Sequence, residues 1–164
     1  MNLKEKIEQD LKQAFKAKEE ARVSVLRMLS AAIKNREVEK RTKLSKSEKS
    51  VAKLEELSVL NDEEMIGVVS SEIKKMKEAA EQYKQGSRAE LAAKEEAEIK
   101  ILAPYMPEQL AEEEVRKIVA ETIKETGIAS VAEMGKLMGA LMPKIKGKAD
   151  GNLVSKVVKE QLDK

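Results

Sequence analysis

A lysine-rich stretch near the C-terminus, residues 143–151, holds the side chains best suited to chemistry in this chain of 164 residues. Lys144, Lys146 and Lys148 alternate along it, and Lys136 lies about two helical turns earlier. Ammonium groups gathered in this way can neutralise the phosphates of a nucleic acid backbone. Charge alone favours the alternative interpretation, which is a solvated basic loop that keeps the protein soluble.

Glycines interrupt the same region. Gly147 and Gly151 allow a left-handed backbone and the close approach of another backbone, and a helix start beside them would offer free N–H groups to an anion. Gly135 and Gly139 form a Gly-x-x-x-Gly step, which costs roughly 1 kcal/mol of helix propensity for each glycine. We expect a compensating gain, through the close approach either of a neighbouring helix or of a ligand backbone.

The composition excludes most catalytic and metal-binding chemistry. The chain has no histidine and no cysteine, so it lacks the usual neutral-pH general base, cysteine nucleophiles and the common soft metal ligands. No phosphate-binding Walker loop, dinucleotide fingerprint or EF-hand loop occurs. The sequence therefore predicts no catalytic residue, no metal site and no cofactor.

Apolar residues are too scattered to cross a membrane. A transmembrane helix needs roughly 20 mostly apolar residues, whereas the longest uninterrupted apolar run has three, as in Ile101-Leu102-Ala103. The first residues already follow a helical pattern, and no signal peptide is expected. We therefore predict a soluble cytoplasmic protein with no membrane partner.

Apolar spacing predicts helices throughout the N-terminal part. Leu3, Ile7, Leu11 and Phe15 recur every four residues, which is one face of a first helix, and a second helix should run from about residue 21 to 40. Residues 41–50 are polar and are predicted to form a loop or a frayed segment. Residues 51–60 allow a short extra helix.

Capping signals divide the middle of the chain. Asn61 with Glu64 resembles a capping box at the start of the clearest helix, which Gly86 is placed to end. Ser87 with Glu90 is predicted to cap the following helix. Pro104 and Pro107, which come after that helix, are predicted to break it.

Three short helices are predicted in the C-terminal part. The first spans residues 112–126. Ser130 with Glu133 makes a capping box before the second helix, which Pro143 stops, and Asp150 can cap the third. Met134, Met138 and Met142 share one face of the second helix, and core packing is the favoured interpretation of that stripe. The alternative is an adaptable surface for a protein partner.

These patterns together predict an all-α protein. Residues 1–103 form an N-terminal elongated helical hairpin, residues 104–111 form a linker, and residues 112–164 form a C-terminal three-helix bundle.

Three segments of the chain resemble the GatB/YqeY family. The run Met-Gly-Lys-Leu-Met-Gly-Ala-Leu-Met-Pro-Lys-Ile-Lys-Gly-Lys-Ala-Asp-Gly at residues 134–151 is similar to its C-terminal signature. The run Arg-x-x-Val-Leu-Arg at residues 22–27, with Ala-Ala-Ile-Lys-Asn at residues 31–35, resembles its N-terminal helix pair. The run Tyr-Met-Pro-x-Gln-Leu at residues 105–110 resembles its middle linker. The similarity covers nearly the whole chain and is to the free-standing branch of the family.

The chain departs from the family pattern at two places. Residues 41–60 are longer and richer in lysine than the usual connection, so the hairpin has room for an extra helix. Ala111 stands where the family commonly has a serine helix cap, and the loss of such a cap costs about 1 kcal/mol.

A shorter form of the signature, Gly-x-x-Met-x-x-x-Lys-Gly-Lys-Ala at residues 139–149, resembles the tail of the B subunit of the tRNA-dependent amidotransferase. The family resemblance implies that this tail holds the tRNA body, while amidation takes place in a separate domain that binds ATP and magnesium. It also implies the fold of a helical hairpin joined to a three-helix bundle. For this chain it implies a tRNA-binding accessory protein with no chemistry of its own.

The residues expected to bind nucleic acid are Lys136, Gly139, Lys144, Lys146, Gly147 and Lys148. A possible secondary basic strip lies on the second helix, at Arg22, Arg27, Lys34 and Arg36. The only aromatics are Phe15, Tyr83 and Tyr105, and none lies in the lysine-rich stretch. Stacking on bases is therefore not expected, and recognition should depend on shape and charge.

Two other functions stay open. The chain is alternatively a protein-interaction module that acts with an aminoacyl-tRNA synthetase or an amidotransferase subunit, through the hairpin and the methionine face. A weaker alternative is carbon–nitrogen ligase activity with glutamine as the amide donor, as part of a complex.

Overall fold

The computed structural model describes residues 2–163, and every regular element in that range is helical. The chain divides into two compact units, of which the first ends at Met106 and the second begins at Pro107. Each unit has a hydrophobic core of its own. The all-α fold class expected from the sequence is confirmed.

Within the described residues the first unit contains α1 (Leu3–Lys16), α2 (Glu20–Leu44), α3 (Val51–Ser58), α4 (Asp62–Gln85) and α5 (Ala89–Leu102). A turn of 3-10 helix, Ala103–Tyr105, follows α5. The second unit contains α6 (Glu112–Thr126), α7 (Met134–Ile145) and α8 (Gly151–Leu162), with a 3-10 turn at Val131–Glu133 before α7. None of the helices described between residues 2 and 163 has the length and apolar character needed to cross a membrane.

The core of the first unit forms where α1 and α2 pack on the helical hairpin of α4 and α5. Leu26 and Leu29 of α2, Met65 and Val69 of α4, and Leu102 of α5 are almost completely buried there. Each side chain of this kind contributes roughly 1.5 to 3 kcal/mol relative to an exposed one. The helical spacing read in the sequence therefore corresponds to real burial in this unit.

Tyr105 connects three segments of the first unit. Its hydroxyl donates a 2.6 Å hydrogen bond to Asp10 Oδ2 of α1, and Lys6 Nζ lies 5.4 Å from the ring centroid. Arg22 of α2 lies 3.7 Å from Asp10 Oδ1. Burial and then the hydrogen bond to Asp10 raise the pKa of Tyr105 above its ordinary value, so the hydroxyl stays a donor at neutral pH.

Charged side chains of α2 hold the connection between α3 and α4. Lys40 Nζ donates to the carbonyl oxygen of Val59 at 3.1 Å and to Glu64 Oε2 at 2.8 Å. Glu64 also accepts from the N–H of Asn61, which completes the capping box that the sequence predicted. The hydrogen bond from Lys40 is the main reason that the pKa of Glu64 is lowered.

The connection after α2 differs from the prediction. Residues 41–44 belong to α2 rather than to a loop, so only residues 45–50 separate α2 from α3. Packing of α3 on α2 supports the extra turn, and Arg41 lies 3.6 Å from Glu55 of α3. The short helix that the sequence allowed after residue 50 is present as α3.

The turn between α4 and α5 corrects a predicted cap. Ser87 does not cap α5 with Glu90, because it adopts a left-handed conformation with φ of +57°. The N–H of Arg88 then bonds to the carbonyl oxygen of Tyr83 at 2.8 Å. This is the Schellman arrangement, which satisfies the last carbonyls of α4. Gly86 ends α4 as predicted, although its own φ is an ordinary −82°.

The second unit is a three-helix bundle. Val115 and Val119 of α6, Leu137 and Leu141 of α7, and Val157 of α8 have no exposed surface and form its centre. Contacts from α6 to both other helices hold the bundle together.

One predicted helix stop and one predicted helix cap in this unit are wrong. Pro143 does not stop α7, which continues to Ile145. The carbonyl of Gly139 loses its usual helical donor at Pro143, but burial of Ile145 holds the last turn in place. Ser130 does not form a capping box with Glu133, because its hydroxyl accepts from the N–H of Ala132 in the 3-10 turn.

The start of α6 keeps half of a capping box although it has no serine. Glu114 Oε2 accepts from the N–H of Ala111 at 2.8 Å. The alanine side chain cannot return a bond, so the reciprocal half is missing. α6 ends at Gly127, whose φ of +69° is left-handed.

Candidate nucleic-acid interface

The lysine loop, residues 146–150, joins α7 to α8 on the surface of the second unit. Ile145 just before it is buried, whereas Lys146 and Lys148 are exposed. Gly147 has a φ of +74°, which is the left-handed conformation expected there. Gly151 differs from the expectation, because it is the first residue of α8 and its φ is not positive.

Residues 107–110 form a clasp on the lysine loop that sequence reasoning did not find. Gln109 Nε2 donates 2.8 Å hydrogen bonds to the carbonyl oxygens of Pro107 and Gly147. The N–H of Leu110 donates to the carbonyl oxygen of Lys148 at 2.7 Å. The backbone of the loop is therefore fixed from one side. The only sequence signal for this role was the linker motif, and Gln109 and Gly147 are 38 positions apart in the sequence.

Lys144 differs from the other lysines of this region in its contacts. Its ammonium donates to Glu125 Oε2 at 2.6 Å and to Thr122 Oγ1 at 3.1 Å, both on α6. Two of its three N–H donors are therefore already used, and the carboxylate of Glu125 locally neutralises its charge. Lys144 is thus part of the packing between α6 and α7.

Lys136 and Lys148 have much less competition from acidic side chains of the protein for their ammonium groups. Lys136 pairs with Glu133 at 3.1 Å one turn earlier, and its side chain is 75% exposed. A solvent-exposed pair of this kind is worth at most about 1 kcal/mol. Lys148 forms no ion pair with any residue in the range 2–163.

The start of α8 does not offer the free N–H groups that the sequence suggested. Asp150 Oδ1 accepts from the N–H groups of Asn152 at 2.8 Å and Leu153 at 3.4 Å. The predicted cap by Asp150 is confirmed, and the same carboxylate brings a negative charge to this helix end. The lysines and the glycine backbone, and not the dipole of α8, are therefore the groups of this corner that suit an anion.

Gly135 and Gly139 lie on the exposed face of α7. A β-carbon added at either glycine would meet no other part of the described chain within 4 Å. Close approach of a neighbouring helix, the first of the two explanations for this step, is therefore wrong. The open face leaves room for the backbone of a ligand.

The methionine stripe of α7 mostly faces the core. Met134 and Met138 are partly buried against the bundle. Met142, in contrast, is 42% exposed beside the open face of α7. Core packing therefore explains two of the three residues.

The basic residues of α2 do not form one strip. Arg22 pairs with Glu19 at 3.2 Å as well as with Asp10, and Arg36 pairs with Glu39 at 2.8 Å. Their charges are already partly neutralised within the first unit. The two other residues of the predicted strip have different surroundings.

Arg27 and Lys34 lie seven residues apart on the exposed side of α2. The guanidinium carbon of Arg27 is 5.9 Å from the centroid of the Phe15 ring. This pair of cations faces solvent and shares one side of the helix, since seven residues make about two turns.

Acidic residues do not converge on a metal site in the described range. No group of three or more Asp and Glu residues among residues 2–163 is placed to hold a metal ion.

Comparisons with known proteins give relatives of two kinds. "Altered inheritance of mitochondria protein 41, mitochondrial" of Pyrenophora tritici-repentis is 27% identical over 160 residues, which cover 94% of this chain and 78% of that protein. The protein of the same name from Vanderwaltozyma polyspora is 28% identical over 100 residues, covering 61% of this chain and 46% of the relative.

The second kind is part of a larger enzyme. The E subunit of the glutamyl-tRNA(Gln) amidotransferase of Thermococcus sibiricus is 38% identical over 72 residues, which are 44% of this chain but only 11% of that protein. The family model described as "Yqey-like protein" matches residues 4–162. This match spans nearly the whole chain and agrees with the resemblance read from its motifs, and the chain belongs to the YqeY family.

Proposed function

We propose that this chain is an accessory tRNA-binding protein that holds the RNA backbone and has no chemistry of its own. The observation that carries the proposal is the clasped loop, which presents Lys146 and Lys148 on either side of the left-handed Gly147. A loop whose carbonyls are already bonded loses little conformational entropy on binding. Its lysines then neutralise phosphates without reading the base sequence.

The exposed face of α7 extends the proposed RNA contact. Gly139 leaves space for a sugar-phosphate backbone to come close to the helix. Lys136 exchanges its exposed partner Glu133 for a phosphate at low cost, since such pairs are weak. We infer that Lys144 supports this surface by joining α7 to α6 through Glu125, rather than by contacting a phosphate itself.

Similarity to the amidotransferase relative supports the choice of tRNA. The name of that relative assigns it to glutamyl-tRNA(Gln), and the matching part is a small share of its length. We infer that the shared segment serves tRNA binding in this chain. The cytoplasm is the proposed location, although the names of two relatives assign those proteins to mitochondria.

A protein partner is the second candidate, and the exposed Met142 favours it. Methionine beside an open helix face can adapt to a partner such as an aminoacyl-tRNA synthetase or an amidotransferase subunit. Carbon–nitrogen ligase activity with glutamine would then belong to the assembled complex. Amide formation by the purified chain with ATP and glutamine would favour that activity over pure binding.

The test measures binding of the purified full chain to total tRNA and to a duplex RNA control at several salt concentrations. If about three or four phosphates are neutralised, log K falls against log salt with a slope of roughly −2 to −4. The variant K146E/K148E should bind more weakly and keep its fold. The matched control is K156E/K159E, which makes the same charge change on α8. Unchanged tRNA affinity in a folded K146E/K148E variant would rule out the lysine loop as the binding site.

A further inference from the structure

Phe15 is exposed although it belongs to the apolar stripe of α1. Ile7 on the same stripe is 2% exposed, whereas the ring of Phe15 is 64% exposed. α1 ends one residue later, at Lys16, so the last turn of the helix carries this ring into solvent. The only phenylalanine of the chain is therefore on the surface of the first unit.

The guanidinium of Arg27 lies beside this ring. Its central carbon is 5.9 Å from the ring centroid, which is within cation–π range. Arg27 forms no ion pair with a carboxylate among the residues that the structure describes. The ring and the guanidinium thus form a small exposed platform, which we call the Phe15–Arg27 platform.

The sequence around the platform carries a positive excess. Exposed cations on α1, the following turn and the exposed side of α2 are Lys12, Lys16, Lys18 and Lys34. The acids between residues 8 and 34 are Glu8, Asp10, Glu19 and Glu20, and Asp10 and Glu19 are both paired with Arg22. An anionic partner is therefore favoured at this end of the unit.

We propose that the Phe15–Arg27 platform binds an unpaired base of single-stranded RNA, with neighbouring lysines on the flanking phosphates. Aromatic rings and guanidinium planes both stack on bases, and stacking tolerates any base because each has a π-face. Aromatic and arginine side chains also occur at protein interfaces, but lysine is depleted there. The lysines around the platform therefore favour RNA over a protein.

This site does not depend on the lysine loop. It lies in the first unit, on α1 and α2, whereas the loop belongs to the second. The two proposals use different chemistry. Stacking is not expected at the loop, which has no aromatic side chain, whereas the platform carries the Phe15 ring beside Arg27. An experiment can therefore contradict one of the two proposals without contradicting the other.

A fluorescent variant tests base stacking directly. The chain contains no tryptophan, so F15W of the full chain has a single indole at the platform. We expect single-stranded oligoadenylate to quench this fluorescence, and an abasic oligomer of equal length, which keeps the phosphates, to leave it unchanged. Unchanged emission at saturating oligoadenylate overturns the proposal.

Two further variants separate stacking from charge. F15L keeps an apolar side chain but should lower oligoadenylate affinity about tenfold, with no change in the salt slope. R27K keeps the charge and loses the planar guanidinium, so its affinity should also fall at an unchanged slope. Wild-type affinity in F15L overturns the site.

Matched controls show whether these effects belong to the platform. V38A removes apolar surface from another exposed position on α2, and it should bind oligoadenylate as the unaltered chain does. Thermal unfolding of F15L should be unchanged, because the ring is mostly in solvent. K146E/K148E placed in the F15W background should retain quenching, and loss of quenching there would contradict an independent site.

Discussion

Lys144 and Glu125 form an ion pair in which Nζ lies 2.6 Å from Oε2, although the two residues are 19 positions apart. The same ammonium reaches the hydroxyl of Thr122, which is buried on α6. Lys144 therefore has a different role in the second unit from Lys148, despite their regular alternation in sequence. The last turn of α7 directs Lys144 to α6, and the chain leaves the helix before Lys148.

The variant K144A should lose stability and keep RNA affinity. Its ion pair is more than a third exposed, so we expect a loss of about 0.5 to 1 kcal/mol in the free energy of unfolding. K148A is the matched variant and should show the reverse, with weaker tRNA binding and unchanged unfolding. Urea titrations and tRNA binding curves measure both. A large loss of tRNA affinity in K144A would instead show that Lys144 itself contacts the RNA.

Q109A should loosen the lysine loop without unfolding the bundle. It removes the two hydrogen bonds from Nε2 to Pro107 and Gly147, each worth about 0.5 to 1.5 kcal/mol at most. We expect faster hydrogen exchange at the N–H of Leu110 and weaker tRNA binding, since the loop must then be ordered by the ligand. Q85A, on the exposed surface of α4, is the control. If exchange at Leu110 is unaltered in Q109A, the clasp does not order the loop.

K18G should make the protein more stable. Lys18 has a φ of +58°, which strains an L-residue and suits glycine, so the gain is about 0.5 to 1 kcal/mol. S87G tests the same effect at the turn after α4, where φ is +57°. K16G, within α1, should be destabilising because its backbone is helical. Thermal or urea unfolding distinguishes the three, and a less stable K18G would contradict the strain.

Glu64 should make stability depend on acid pH. The hydrogen bond from Lys40 lowers its pKa in the folded state below the ordinary value of 4.5. Its contribution is therefore fully present above the unfolded pKa and is lost as the pH falls through the lower folded value. In E64Q the free energy of unfolding should change less steeply below about pH 4.5.

Urea unfolding at a series of pH values measures this difference. E56Q, which removes an exposed carboxylate of α3, is the control and should retain the unaltered slope. Equal slopes for E64Q and the unaltered chain would show that the contact with Lys40 contributes nothing to folding.

Local spacing predicted the helices well because a periodic apolar stripe and a nearby cap act within a few residues. Asn61 and Glu64 are three positions apart, and their capping box forms as expected. The clasp could not be predicted in the same way, because Gln109 and Gly147 meet only after the bundle has folded. Phe15 illustrates the same limit, since spacing assigns it to a face without showing where the neighbouring helices stop.

The clasp on the lysine loop has a consequence for the covalent chain. Leu110 is joined to α6 through a single residue, so its N–H stays at high effective concentration near the carbonyl of Lys148. Hydrolysis of the peptide bond after Leu110 would leave the buried centre of the bundle whole. It would also turn formation of the clasp into an encounter between two separate fragments, because residues 107–110 would no longer be linked through α6 to the lysine loop. We therefore expect a protease that acts at this one bond to weaken the proposed tRNA binding while leaving Lys146 and Lys148 intact.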